Sequence, residues 1–296
     1  MILATLMLCA LAAEPDADTT ACKAEDGAAC MRLAARSLTG DGVAQDVHYA
    51  MRKWSEACRA GHGPGCTAQG DAFAQGDLVA LDYIRAAELY TDACSHGHGP
   101  GCRALGELYI MGALGTIDGA TAGIWYQQGC EAGDAESCTA VGLWLERGDT
   151  GSKDPDAARE LFRRACGMGH ARGCTQIGVR LLVGDGVKRD LAAAAGWFEK
   201  GCRARDWDPE SCREWGRAQI DGRVAPLEPL QGRVDLERAC YAGDHVGCRY
   251  LADLLRKSAI EEALIAAERG CDLGDAQSCT KAERLRYRML VKAEAR

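Results

Sequence analysis

Cysteine supplies the first chemistry that this sequence offers, with seventeen residues in a chain of 296. A thiolate can attack a carbonyl, hold a metal ion or pair with a second sulfur, and spacing separates the three. Leaving Cys9 aside, the pairs are Cys22/Cys30, Cys58/Cys66, Cys94/Cys102, Cys130/Cys138, Cys166/Cys174, Cys202/Cys212, Cys240/Cys248 and Cys271/Cys279. The two members stand eight residues apart, except Cys202 and Cys212, which stand ten apart. Zinc sites want cysteines two to four residues apart and four converging ligands. Seven intervening residues, repeated along the chain, give no such set. Eight disulfides between sequence neighbours are predicted instead, and a thiol so oxidised is no nucleophile.

Other reactive groups offer less. Ser278-Cys279-Thr280-Lys281 places a lysine one helical turn from a serine, the arrangement that activates the acyl-transfer nucleophile of serine β-lactamases. The Ser-Asp-Asn and Lys-Thr-Gly partners are absent, and one such match in a chain of this length is within chance. Ser278 also shares its column beside a cysteine with Ser137 and Ser211. His62, His98 and His170 each stand four residues after a first cysteine, where Asp134, Asp206, Asp244 and Asp275 also stand, so this is a turn or N-cap column. No zinc-protease helix, phosphate loop or dinucleotide fingerprint occurs. No catalytic residue, metal ligand or cofactor is therefore expected.

The cysteines mark a repeat. Steps between first members are 36, 36, 36, 36, 36, 38 and 31 residues. Other columns keep the period. Glycine stands twelve residues after the first cysteine (Gly70, Gly106, Gly142, Gly178, then Gly216) and again at eighteen (Gly40, Gly76, Gly112, Gly148, Gly184, then Gly222). Aspartate stands at twenty-four (Asp46, Asp82, Asp118, Asp154, Asp190, with Glu228 shifted), and an aromatic at thirty-two (Trp54, Tyr90, Tyr126, Phe162, Phe198).

Each column has a physical reading. The aspartate precedes an Ala-rich apolar run and suits an N-cap. The glycine at eighteen closes a helix in the left-handed region. The glycine at twelve lies inside a helix at a cost of about 1 kcal/mol against alanine, and close approach of a neighbouring helix would offset it. The aromatic is core. Each unit thus reads as helix A, a short loop and helix B. Seven such pairs and a charged capping helix over about Gln277–Ala293 make an all-α solenoid, a single array over residues 22–296 after a short segment at 14–21.

The run Gly40-Asp41-Gly42-Val43 with Asp46, and Gly184-Asp185-Gly186-Val187 with Asp190, each followed by an Ala-rich helix ending in Cys, resembles the Sel1-like repeat (SLR). The cysteines eight apart are similar to those of the Hcp type of secreted cysteine-rich repeat proteins. The resemblance covers roughly residues 22–293. It implies an α/α superhelix related to tetratricopeptide repeats, with helix A on the concave side, and export. It also implies either an adaptor role or weak β-lactamase or penicillin-binding activity. The chain departs from the pattern at Asp206-Trp207-Asp208-Pro209, which lengthens one turn, and in its shortened penultimate repeat.

Composition narrows the partner. A net charge of −8 argues against nucleic acid, which requires a basic face. No stretch approaches the ~20 apolar residues needed to span a bilayer, so an integral membrane protein is not expected. Residues 1–13 read as a secretory signal with cleavage near Ala12 or Ala13, ahead of lipidation at Cys9, where Leu8 is too large. The run lacks a positive n-region, which a start upstream of this Met would supply. A secreted or periplasmic scaffold that binds a protein, peptide or cell-wall fragment is expected. Positions nine, thirteen and seventeen after the first cysteine share one face of helix A. They place Met111, Leu143, Val179 and Val183 in an apolar stretch rimmed by Arg103, Glu107, Arg147 and Arg217. The alternative is that some of these are simply buried.

Overall fold

The computed structural model describes residues 17–148, 153–223 and 228–294, with side chains to residue 290. The segment expected as a signal, residues 1–13, lies outside them. The described residues are helical apart from short connections, and they fall into two units divided after Ala132. In the first, α1 (Ala17–Lys23) precedes the pairs α2/α3 (Gly27–Thr39, Val47–Arg59), α4/α5 (Gly63–Gln75, Tyr83–Ser95) and α6/α7 (Gly99–Met111, Gly119–Glu131). The second holds α8/α9 (Ala135–Arg147, Pro155–Gly167), α10/α11 (Ala171–Val183, Leu191–Arg203), α12/α13 (Pro209–Ile220, Pro229–Tyr241), α14/α15 (His245–Leu255, Ile260–Asp272) and α16 (Ala276–Glu294). The fold is an all-α solenoid of helix pairs, with disulfides joining successive pairs.

Helix boundaries follow from the repeat columns. Asp46, Asp82, Asp118, Asp154 and Asp190 are each an N-cap whose carboxylate accepts from the backbone N–H three residues on, at 2.9 Å. Their own N–H groups donate back to helix A, Asp82 to Phe73 O and Asp190 to Leu181 O, for example. One residue therefore fixes both the start of helix B and its attachment to helix A. At Asp118 the hydroxyl and N–H of Thr121 hold the carboxyl below the usual carboxylate range. Glu228 departs from the column: it stands at the N-cap of α13 without a side-chain bond, and its N–H donates to Gln219 Oε1. The longer side chain does not make the bond that Asp makes.

Four of the repeats are each held by one aromatic against one glycine. Trp54, Tyr90, Tyr126, Phe162 and Phe198 are all buried on helix B. Four of the rings lie against Gly70, Gly106, Gly142 and Gly178 of the preceding A helices. A Cβ at these glycines would stand only 2.6 to 2.8 Å from the ring, so the residue that weakens helix A is the one that lets helix B seat. Gly76 and Gly184 end their helices at φ 73° and 84°, in the left-handed region.

Within each unit the A helices of consecutive repeats pack on one another more closely than the B helices do. The A helices therefore form the more closely packed layer, and their free face is the one that successive repeats assemble jointly.

A candidate binding face along the A helices

Cystine occupies the turns between repeats. Cys58–Cys66, Cys94–Cys102, Cys166–Cys174, Cys202–Cys212, Cys240–Cys248 and Cys271–Cys279 each join the last turn of a B helix to the first turn of the next A helix, and Cys22–Cys30 does so from α1. Cα separations of 4.4 to 4.8 Å suit the bond. Cys130 and Cys138 are also disulfide-bonded. Cys22, Cys30 and Glu56 are grouped closely enough to ligate a metal, but the two sulfurs are bonded to each other. So many cystines point to an oxidising environment outside the cytoplasm. No helix among the described residues is long and apolar enough to cross a membrane.

Ser278 is fully buried, and its hydroxyl donates to Asp275 Oδ2 at 2.6 Å in the first turn of α16. A Cβ on Gly270 would meet that hydroxyl at 2.5 Å. Lys281 is engaged by Asp253 at 2.5 Å. Ser137 and Ser211 are buried in the same way, so this column packs tightly against the preceding B helix and presents no nucleophile.

The histidine column holds N-caps, as the turn reading requires, but the imidazoles of His62, His98 and His170 make no capping bond to their own helices. At His170 a neighbour compensates. Asp206 is not the cap of α12, because the two-residue insertion gives that place to Asp208. Asp206 reaches back one repeat, accepting from Ala171 N at 2.9 Å and bonding His170 Nδ1 at 2.6 Å, and so caps α10 in place of its own histidine.

The residues expected on the binding face divide by unit. In the first unit, Arg103, Glu107 and Met111 on α6 face Thr67, Asp71 and Gln75 on α4 across an open cleft of about 360 Å³. Arg103 pairs with Glu107 at 2.6 Å. Tyr90, buried from behind, donates its hydroxyl to Asp71 Oδ1 at 2.7 Å. Burial first, then that bond, pushes the phenol far above its ordinary range. Met111 is 62% exposed at the end of the cleft.

In the second unit, Val183 is 63% exposed. Leu143 is half-buried against the Phe162/Ile177 cluster, and Val179 against the Phe198/Trp215 cluster. Arg147 is exposed on α8. Arg217 lies 4.1 Å from the Tyr250 ring centroid and pairs with Glu214, which Arg213 also engages. Arg180 forks onto Glu146 and stacks over Phe162, 4.5 Å from its centroid. Burial lowers the Arg180 guanidinium pKa, against the opposing pull of Asp185.

The same columns continue past Arg217, the last residue of the expected face. Counted from Cys248 and Cys279 they give Arg249 and Asp253 on α14, then Thr280, Arg284 and Arg288 on α16. These line a second cleft of about 510 Å³. The shortened penultimate repeat hid it, because α16 read as a charged cap.

A family model described as the Sel1 repeat matches residues 27–62, 68–98, 99–134, 135–170 and 171–206, more than half of the chain. No curated protein sequence matches. Among solved structures, a Sel1 repeat protein from Oxalobacter formigenes is similar with a TM-score of 0.64 and 21% identity, over 74% of this chain and 89% of that one. The protective antigen c5321 of uropathogenic Escherichia coli, with an SLR fold, is similar with a TM-score of 0.52 and 20% identity, over 92% and 67%. Helicobacter pylori cysteine-rich protein B is 24% identical over 44% of this chain and 93% of that one, at a TM-score of 0.37.

Proposed function

The chain belongs to the Sel1 repeat family, and from that premise we propose that it is an exported, disulfide-stapled scaffold whose A-helix face holds an extended segment of another protein. The carrying observation is the first-unit cleft. Polar side chains of two successive A helices stand on either side of it, and an exposed methionine closes one end. A cleft that combines polar side chains with an exposed apolar one offers an extended peptide both hydrogen bonds and apolar contact. A surface assembled from several repeats is also how quasi-one-dimensional folds bind. The cystines favour a secreted or periplasmic home for that partner. A peptide or cell-wall fragment would meet the same groups. The hydrolase reading finds no support here, since Ser278 is enclosed in a helix cap.

A photo-crosslinking side chain at Met111, expressed in the cells that export the protein, tests the reading. Discrete adducts are expected from Met111 and not from a control at Glu88, an exposed position on the B helix α5. Equal yields from both positions, or none from Met111, would overturn it.

A further inference from the structure

The cleft between α14 and α16 carries a charge that the rest of the chain does not. Five cations line it, Arg249 and Arg256 from the α14 side and Lys281, Arg284 and Arg288 from α16, against the single acid Asp253. The whole chain has a net charge of −8. Two of the cations are balanced, Lys281 by Asp253 at 2.5 Å and Arg249 by Asp275 at 3.3 Å. Arg256, Arg284 and Arg288 have no acidic partner among the described residues. Three unneutralised guanidinium groups around one opening repel one another, and an entering anion relieves that repulsion. Guanidinium forks match carboxylates in two-point geometry.

We propose that this cleft receives an acidic, extended segment of a partner polypeptide. The claim rests on the A-helix reading above and names the chemistry of what binds at this end. Spacing supports an extended chain. Arg284 and Arg288 are one turn apart, about 6 Å along the axis. Alternate side chains on one side of an extended strand are about 6.6 Å apart. A segment with a carboxylate at every second position therefore meets successive arginines. Asp253 and Thr280 at the wall, the latter with its own proton given to Ala276 O, can accept from peptide N–H groups, and Leu285 provides an apolar floor. Nucleic acid fits less well, because the lining has no aromatic ring for bases to stack on.

The test uses oxidised full-length protein and fluorescence anisotropy of a fluorescein-labelled peptide of about ten alternating Glu and Thr residues. The Glu peptide should bind, and binding should weaken as salt rises from about 50 to about 500 mM. The same peptide with Gln for Glu should bind at least about tenfold more weakly. The double variant Arg284→Gln/Arg288→Gln should cost a similar factor, about 1.4 kcal/mol, while Arg163→Gln on α9 should change nothing. Circular dichroism establishes that each variant is folded. Equal binding of the Gln peptide, wild-type affinity in the double variant, or tighter binding of a single-stranded DNA of matched charge would each overturn the proposal. Crosslinking from Met111 reads the broader A-helix proposal independently, so the two can fail separately.

Discussion

Gly142 and Phe162 meet at a distance that excludes a methyl group: a Cβ on Gly142 would stand 2.6 Å from the ring. Gly142→Ala should therefore destabilise, although alanine is the better helix former by about 1 kcal/mol. Overpacking against a fully buried ring costs about 1–3 kcal/mol, and the net loss should be about 1 kcal/mol. Urea unfolding measures it. A stabilised variant would mean that the ring moves aside freely. Gly196, with open space around it, is the control, and Gly196→Ala should gain stability.

Reduction should lower the melting temperature markedly while leaving helicity at low temperature nearly unchanged. Each bridge closes a loop of eight or ten residues, and such closures are worth about 2–3 kcal/mol apiece in the chain-entropy view. The helices keep their caps and aromatic seats without the bridges. Circular dichroism melts with and without reductant decide it. An unchanged melt would show the staples to be thermodynamically idle.

Asp235 sits inside α13, buried, with Oδ2 lacking any partner. Burial raises its carboxyl pKa, against the smaller pull of Gln231, Arg203 and Arg238. The fold therefore prefers the neutral acid. Its contribution is fully present below the ordinary carboxylate value of about 4, and it is lost as pH rises through the higher folded value. Asp235→Asn should raise the melting temperature at pH 8 and flatten the fall in stability between about pH 4 and pH 8. A variant with the wild-type pH profile would place the titration elsewhere.

Leu143 and Val183, thirteen and seventeen residues after their first cysteines, share the A-helix face but differ in depth. Val183→Asp should leave the melting temperature nearly intact, since the side chain is mostly in solvent. Leu143→Asp should cost about 2 kcal/mol or more, by placing a charge against Phe162 and Ile177. Thermal melts separate the two. Equal losses would show that Val183 is also core.

That contrast marks the limit of what the sequence discloses. Caps and helix ends were legible because each depends on one residue at a fixed offset, and the Asp190 cap or the buried Phe198 can be assigned from spacing alone, whereas the seating of the ring on the glycine joins two columns and needed the fold. Depth on helix A was not. Periodicity gives the angle at which Thr175, Val179 and Val183 leave the helix, while the neighbouring A helix decides how far burial extends. Thr175 proves to be buried and bonded to Ser211 and Asp208. Insertions defeat column counting too. Asp206 kept its count from Cys202 but lost its role to Asp208, and only the fold shows that it caps the preceding repeat. The arginine cleft escaped for a related reason, because a shortened loop broke the register that would have carried the face on to Arg284.

The short reach of the cystines also bears on how the protein is made. In each of the seven bridges described, the second cysteine emerges within ten residues of the first. A chain threading N-terminus first into an oxidising compartment thus presents each thiol beside its proper mate before the next pair arrives. Correct oxidation then needs only a local hairpin of two helices, and little later shuffling by thiol–disulfide exchange. Repeats can be gained or lost in evolution without leaving an orphan thiol, because each carries its bridge within one turn.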